Sequence, residues 1–249
     1  MDNHFKIIVP LYNVEKWIKR CLRSIKLQTY KNFECIIIDD ISTDNSVSII
    51  SEEIKDDNRF RLIVNKEKKY ALKNIYDALS EIKPDTNDIV ITVDGDDWLA
   101  SKEVFSIVNE TYKQNDCWMT YGSYMEYPSK TKGKFSKKLP DHVISTSSYR
   151  TSPWCTSHLR TFRYFLWDKI DKQDLINPLT GEFIKSAWDL AFMFPMLEMS
   201  GHKSLYIDKI LYVYNRENPL NEDKVDHQKQ LSEENIVRSK QKYSILDKS

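Results

Sequence analysis

Residues 5–46 read FKIIVPLYNVEKWIKRCLRSIKLQTYKNFECIIIDDISTDNS, and residues 93–99 read VDGDDWL. Phe5 to Tyr12 is a short apolar run closed by Asn13. From Val14 to Gln28, Trp17, Ile18, Cys21, Leu22 and Ile25 recur at the spacing of an amphipathic helix. Phe33 to Ile38 is a second apolar run, of strand length, and Asp39-Asp40 ends it. Ser42-Thr43-Asp44 then offers capping side chains to a helix over 46–55. Outward from there, Arg61–Val64 reads as a third strand and Tyr70–Ile82 as a third helix, with Leu72, Ile75, Tyr76 and Leu79 on one face. Asp88–Val93 is a fourth strand, stopping at Asp94-Gly95-Asp96-Asp97. Alternating strands and helices, with almost uninterrupted apolar strands, predict an α/β fold whose mostly parallel sheet is covered by helices on both faces. Ligands bind such sheets beyond the carboxyl ends of the strands. Asn13, Asp39-Asp40 and the acidic cluster all fall there.

Composition narrows the classes. Lys plus Arg equals Asp plus Glu, 37 each in 249 residues, which argues against a nucleic-acid binder. The five Gly (95, 122, 133, 181, 201) cannot form GxGxxG or a phosphate-binding P-loop. Cys21, Cys35, Cys117 and Cys155 are scattered without zinc spacing, as in a reduced compartment. No apolar run reaches the ~18 residues of a membrane span, and MDNHFKIIVPLYN turns polar too soon for a signal peptide. The expectation is one cytoplasmic domain over 1–249, peripheral to a membrane at most.

The second half is less regular. Helices are expected over 101–115, 159–170 and 186–201, the last bent at Pro195, with strands over 117–125 and 205–214. Residues 128–140 hold five Lys and no acid, a solvated loop, and 221–249 forms a charged helical tail. Residues 1–100 thus form one half of the domain and 101–220 the other.

Three carboxylates in four positions repel one another unless a cation relieves them. Flanking a Gly, they suit a hard divalent ion, Mg²⁺ or Mn²⁺. An isolated DGDD is equally an acidic turn capping a helix; the second acidic pair, Asp39-Asp40, on the same sheet edge favours a site.

Residues 5–100 resemble the family 2 glycosyltransferases of the GT-A fold, a Rossmann-like sheet, through IIVPLYN, IIIDDISTDNS and VDGDDWL in order. The resemblance implies an inverting enzyme that uses a nucleotide diphosphate sugar, with UDP-sugars the expected donors. It places Pro10 and Tyr12 beside the base, Asp40 on its N3–H and Asp94 on the ribose. Asp96 matches the metal ligand, with Asp97 sharing it or standing behind it, and Gly95 lies in the same turn. Lys69 and Lys73 match a region of basic nucleotide contacts, although a solvated helix face explains them as well. Ile41 departs from the family, which usually has Gly or Asn there.

Inverting transfer needs a base for the acceptor hydroxyl. The family carries it in an acidic pair opening a helix, and Trp188-Asp189-Leu190 matches with Trp in the first place, which makes Asp189 the candidate. Glu182 and Asp208 are the fallbacks, and helix capping is the structural alternative for Asp189. His158 and Arg160, in SHLRTFR, resemble a family segment and would face the diphosphate from a helix N-terminus. Tyr214-Asn215-Arg216 and Asn218-Pro219-Leu220 resemble the segment that closes the site. Trp154, Trp167 and Trp188 fit either the core or a sugar platform. The implied partners are a nucleotide sugar and a glycan, lipid-linked or protein acceptor. Two other classes share parts of the pattern: a phosphohydrolase opening on DxD, although Trp98 stands where that class has Thr or Val, and a non-catalytic sugar-nucleotide or glycan binder.

Overall fold

The computed structural model describes residues 2–247. Its first half follows the sequence pattern closely. In order come β1 (Phe5–Leu11), α1 (Ile18–Lys26), β2 (Phe33–Asp39), α2 (Ser46–Ile54), β3 (Phe60–Val64), α3 (Tyr70–Ile82) and β4 (Ile89–Thr92). There follow β5 (Trp98–Leu99), α4 (Val104–Gln114), β6 (Met119–Tyr127), α5 (Asp141–Ser145), β7 (Thr161–Arg163) and α6 (Tyr164–Asp168). The chain continues through α7 (Trp188–Ser200), β8 (Ser204–Asn215), α8 (Glu222–Val225) and α9 (His227–Ser239).

The eight strands form one sheet in the order β3-β2-β1-β4-β7-β6-β8-β5. β3, β2, β1 and β4 run parallel; β7 is antiparallel to both its neighbours, β6 and β8 are parallel, and β5 is antiparallel to β8. Period two explains the apolar runs. Phe5, Ile7, Val9 and Leu11 of β1 join one core with Cys21 and Leu22 of α1 and Phe105 of α4. Ile8 faces the other core, with Leu72 and Ile75 of α3 and Phe192 of α7. Both faces of the strand are covered, so both can be apolar.

Two expectations are corrected in the second half. Residues 159–170 are not one helix: Thr161–Arg163 form β7, which pairs with β4 and β6, and only Tyr164–Asp168 are helical. An aromatic segment of that length satisfies helical spacing by chance, and the backbone partners of two distant strands decide its state. The tail is not one helix either. It breaks into α8 and α9, where the Asp226 side chain caps Lys229 N–H at 2.9 Å, and the segment after Ser239 returns non-helically to α7, where Leu246 N–H donates to Met199 O at 2.9 Å. Lys248 and Ser249 of the expected tail lie outside the described residues.

α7 is apolar nearly all round, and every residue in it except Asp189 is buried. A helix of that composition needs cover on all sides. The lysines of 128–140 are exposed as expected, but Gly133, Ser136 and Leu139 pin the loop inward. A Cβ at Gly133 would stand 2.1 Å from the Tyr124 ring, so the loop lies on that ring only with glycine there. Among the described residues no helix is long and apolar enough to cross a membrane.

Candidate active site

The acidic turn sits where the carboxyl end of β4 meets that of β1. Val93 N–H donates to Ile8 O (3.0 Å) and Gly95 N–H to Pro10 O (3.2 Å). A Cβ at residue 95 would approach Leu11 Cβ to 2.5 Å, so Gly95 permits this contact. Opposite the turn stands the end of β8 and the loop after it. Asp94 N–H donates to Tyr212 Oη (3.0 Å), Asn215 N–H to Asp97 Oδ1 (2.7 Å) and Asn218 Nδ2 to Asp96 Oδ2 (2.7 Å). The segment expected to close the site does meet the acidic turn.

Arg160 reaches in from the residue before β7. Its side chain is 1% exposed; Nη1 donates to Asp189 Oδ2 at 2.8 Å, and Nη2 meets Asp94 Oδ2 at 3.5 Å. The guanidinium also lies 5.0 Å from the Trp188 ring. Arg160 therefore joins the acidic turn to the expected base. Burial pushes the Asp94 carboxyl up, Arg160 pulls it back, and the charges of Asp96 and Asp189 leave it at about 6. Burial likewise raises Asp189, against the pull of Arg160 and the Leu190 N–H. Asp189 is not the cap of α7: that position is Ala187, at φ 51°, and it makes no side-chain cap.

His158 lies flat on Tyr212, ring centroids 4.4 Å apart, with the Tyr124 ring edge-on. Burial, then the Arg160 charge, drive its pKa well below the ordinary value, so the ring is neutral and competent to ligate. Because β7 is a strand, His158 and Arg160 lead into a strand rather than a helix, so no helix N-terminus stands behind them. One donor atom each from Asp94, Asp97 and His158 lie within 4.8 Å of one another. Asp97 Oδ2 and His158 Nδ1 are buried without a hydrogen-bond partner. Burial first, then the charges of Asp96 and Asp94, push Asp97 well above the carboxylate range, partly offset by the Asn215 N–H. Two carboxylates and an imidazole, with orphaned donor atoms, fit Mn²⁺ well and Mg²⁺ less well. Asp96, expected as a metal ligand, stands outside this trio on Asn218.

At the end of β2, Asp40 is buried. Oδ1 accepts from Lys69 N–H (2.8 Å) and Asn65 Nδ2 (2.9 Å), and Oδ2 from Tyr70 N–H (2.8 Å). Burial works to raise this carboxyl, but the Lys69, Asn65 and Tyr70 donors hold it below the usual range. Tyr12 is partly exposed, and Lys68 Nζ lies over its ring at 2.9 Å and 3.5 Å from Asp40 Oδ2. Lys68 is the basic residue that the sequence reading missed. Lys69 and Lys73 instead turn their ammonium groups to Asp77 on α3. Glu182 and Asp208 are exposed and paired with Lys185 and Lys132, so neither enters the site. Trp167 and Trp188 are buried around Phe192, and Trp154 packs edge-on against Phe194. Trp167 and Trp188 are core residues, and Trp154 is partly buried against the same core.

The chain is similar to several known glycosyltransferases. The family model described as glycosyl transferase family 2 matches residues 6–188. WfgD of Escherichia coli, a UDP-Glc:alpha-D-GlcNAc-diphosphoundecaprenol beta-1,3-glucosyltransferase, is 30% identical over 207 residues, covering 77% of this chain and 79% of WfgD. Glycosyltransferase GlyA of Streptococcus pneumoniae is 27% identical over 221 residues, 86% of this chain. This chain spans 31% of GlyA and 61% of the Bacillus subtilis glycosyltransferase EpsJ. The crystal structure of S. aureus TarS 1-349 with UDP is 20% identical, with a TM-score of 0.68 over 94% of this chain and 64% of that one. That likeness shows the GT-A fold. The family match removes the phosphohydrolase alternative: this chain, with its acidic turn at the carboxyl ends of a GT-A sheet, belongs to glycosyl transferase family 2.

Proposed function

We propose that the chain transfers a sugar from a nucleotide diphosphate sugar, with UDP-sugars preferred, to a hydroxyl acceptor with inversion. Asp189 is the base, and Mn²⁺ or Mg²⁺ is the cofactor. The observation that carries the reading is Arg160, buried between Asp94 of the acidic turn and Asp189. One buried, ion-paired side chain spans the acidic turn and the base, which is the kind of link that orienting two reactants requires. Asp189 takes the acceptor proton as the acceptor oxygen bonds to the sugar's anomeric carbon and the nucleoside diphosphate leaves from the opposite face. Burial makes Asp189 a better proton acceptor than an exposed Asp.

Asp94, Asp97 and His158 are the residues that would hold the ion, joined by Asp96 if it gives up its Asn218 partner. A bound cation neutralises the charge that builds on the departing diphosphate. Asp40, anchored and ionised, accepts the pyrimidine N3–H, with Pro10, Tyr12 and Lys68 around the base. The acceptor is a glycan, lipid-linked or protein hydroxyl. The lipid-linked class is supported by the name of WfgD, and with it a place beside a membrane.

The test is nucleoside diphosphate release from a panel of UDP-, dTDP-, CDP-, GDP- and ADP-sugars, with Mn²⁺ and with chelator. Uridine or thymidine donors are expected to turn over, and chelator to abolish it. Equal rates with all bases remove the Asp40 assignment. Full activity in chelator removes the metal.

A further inference from the structure

α9 is a charged, largely exposed helix, and among its described residues only Glu233 and Val237 are buried. A buried carboxylate is costly unless it is hydrogen-bonded, so its partners show what it is for. Glu233 Oε2 accepts two consecutive backbone donors, Lys185 N–H at 2.9 Å and Ser186 N–H at 2.5 Å. Oε1 meets Asn177 Nδ2 at 3.3 Å. Lys185 and Ser186 lead directly into Ala187, at φ 51°, and then into Trp188 and Asp189 at the start of α7. Ala187 supplies no side-chain cap, and on the α7 side the entry has only Leu190 N–H on Ala187 O and on Asp189 Oδ1, both at 3.1 Å. The fixing group comes from a helix more than forty residues on in the chain, beyond the 6–188 matched by the family model.

We infer that Glu233 is a positioning residue for the transfer reaction: its carboxylate clamps the 185–187 turn and so sets where Asp189 and the Arg160 beside it stand. The inference rests on the reading of Asp189 as the base. The far end of the same helix is held separately, by Arg238 Nη1 on Arg150 O (2.7 Å) and Ser152 O (3.0 Å), which makes a control possible. Loosening that end weakens α9 without touching the turn.

The experiment compares Glu233→Ala, Glu233→Gln, Arg238→Gln and Asp189→Asn with the parent chain. The readouts are kcat, donor KM, Tm and amide hydrogen exchange at Lys185 and Ser186. Glu233→Ala is expected to speed exchange at both amides and lower kcat about ten- to a hundredfold, with donor KM within about twofold. Glu233→Gln keeps an oxygen acceptor and is expected to recover most of that loss. Arg238→Gln is expected to lower Tm yet keep kcat within about twofold. Normal kcat in Glu233→Ala, or unchanged exchange at the two amides, overturns the inference. So does a loss of kcat in Arg238→Gln that matches its loss of Tm, because the role is then merely structural. Asp189→Asn separates the two claims. If it collapses turnover while Glu233→Ala does not, only the clamp fails; if it keeps turnover, the base and the clamp fall together.

Discussion

Asp189 has one oxygen on Arg160 Nη1 and the other facing Leu190 N–H at 3.1 Å, on a helix whose cap is a different residue. Its neighbours therefore serve orientation and charge more than helix termination. Asp189→Asn keeps the shape and removes the basicity, and transfer is expected to fall by ~10²–10⁴-fold. Donor affinity, measured by calorimetry, is expected to stay within about twofold. A modest fall in Tm is expected as well, because Arg160 loses one of its two charged partners. The pH profile has a definite sign. Burial raises Asp189 from its ordinary value, against the pull of Arg160, and the base works only when ionised. Rate is therefore lost as pH falls through that raised value, and the acidic limb stands above the position of an exposed Asp. Near-normal transfer by Asp189→Asn removes Asp189 as the base and leaves the transfer reaction with a different proton acceptor.

The turn after β2 shows how one element tolerates a departure from its family. Ile41 adopts φ 61°, the left-handed region in which a β-branched residue is strained and Gly or Asn is at ease. The residue types common at this position are those the backbone asks for. The strain costs about 1–2 kcal/mol in an L-residue, and the side chain is exposed enough to lose little packing on replacement. Ile41→Asn is expected to raise Tm by about 1–4 °C in a chain of this size. A scanning calorimetry measurement decides it: a lower Tm would mean that Ile41 packs against the turn more than it strains it. The neighbouring hydrogen bonds, Ser42 N–H to Asp39 Oδ2 and Asn13 N–H to Ser42 Oγ, are expected to persist in the variant.

At the scale of the whole molecule, the acidic turn is a stored electrostatic cost that a bound cation would relieve. Asp94 has its folded pKa at about 6, above the unfolded 3.8, so between those values the folded chain holds a proton that the unfolded chain has released. Its contribution to stability is therefore lost as pH rises through that window. His158 acts in the opposite sense: its pKa is depressed below 6.5, and its contribution is lost as pH falls. The parent is therefore compared with Asp94→Asn in thermal melts from pH 4.5 to 7. In chelator, the parent is expected to lose stability relative to Asp94→Asn as pH rises. Mn²⁺ binds the deprotonated carboxylates and is expected to raise the parent Tm more at the higher pH, with little effect on the variant. Superimposable curves with and without Mn²⁺ would remove the metal assignment.

The sequence alone determined the α/β class, the order β1 to β4 with its helices, and the position of Asp40 and the acidic turn at one sheet edge. Those features depend on runs and periods within a dozen residues, and the paired cores on both sheet faces leave the strands no other pattern. Asp94, Asp96 and Asp97 were legible for the same reason, as an acidic turn closing a strand that local spacing marks, whereas Pro10, Tyr12 and Asp189 were picked out only by the resemblance to the family. Tertiary structure decided the rest. Whether residues 161–163 are strand or helix was settled by backbone donors on β4 and β6, which no local window contains. Which lysine faces Asp40 was settled by competition with Asp77, which draws Lys69 and Lys73 away and leaves Lys68 beside the carboxylate. Arg160 between Asp94 and Asp189, and Glu233 beneath the turn before α7, join residues far apart in the chain. A buried charge takes its place from the partners that satisfy it, and those partners come together only when the sheet and its covering helices are assembled.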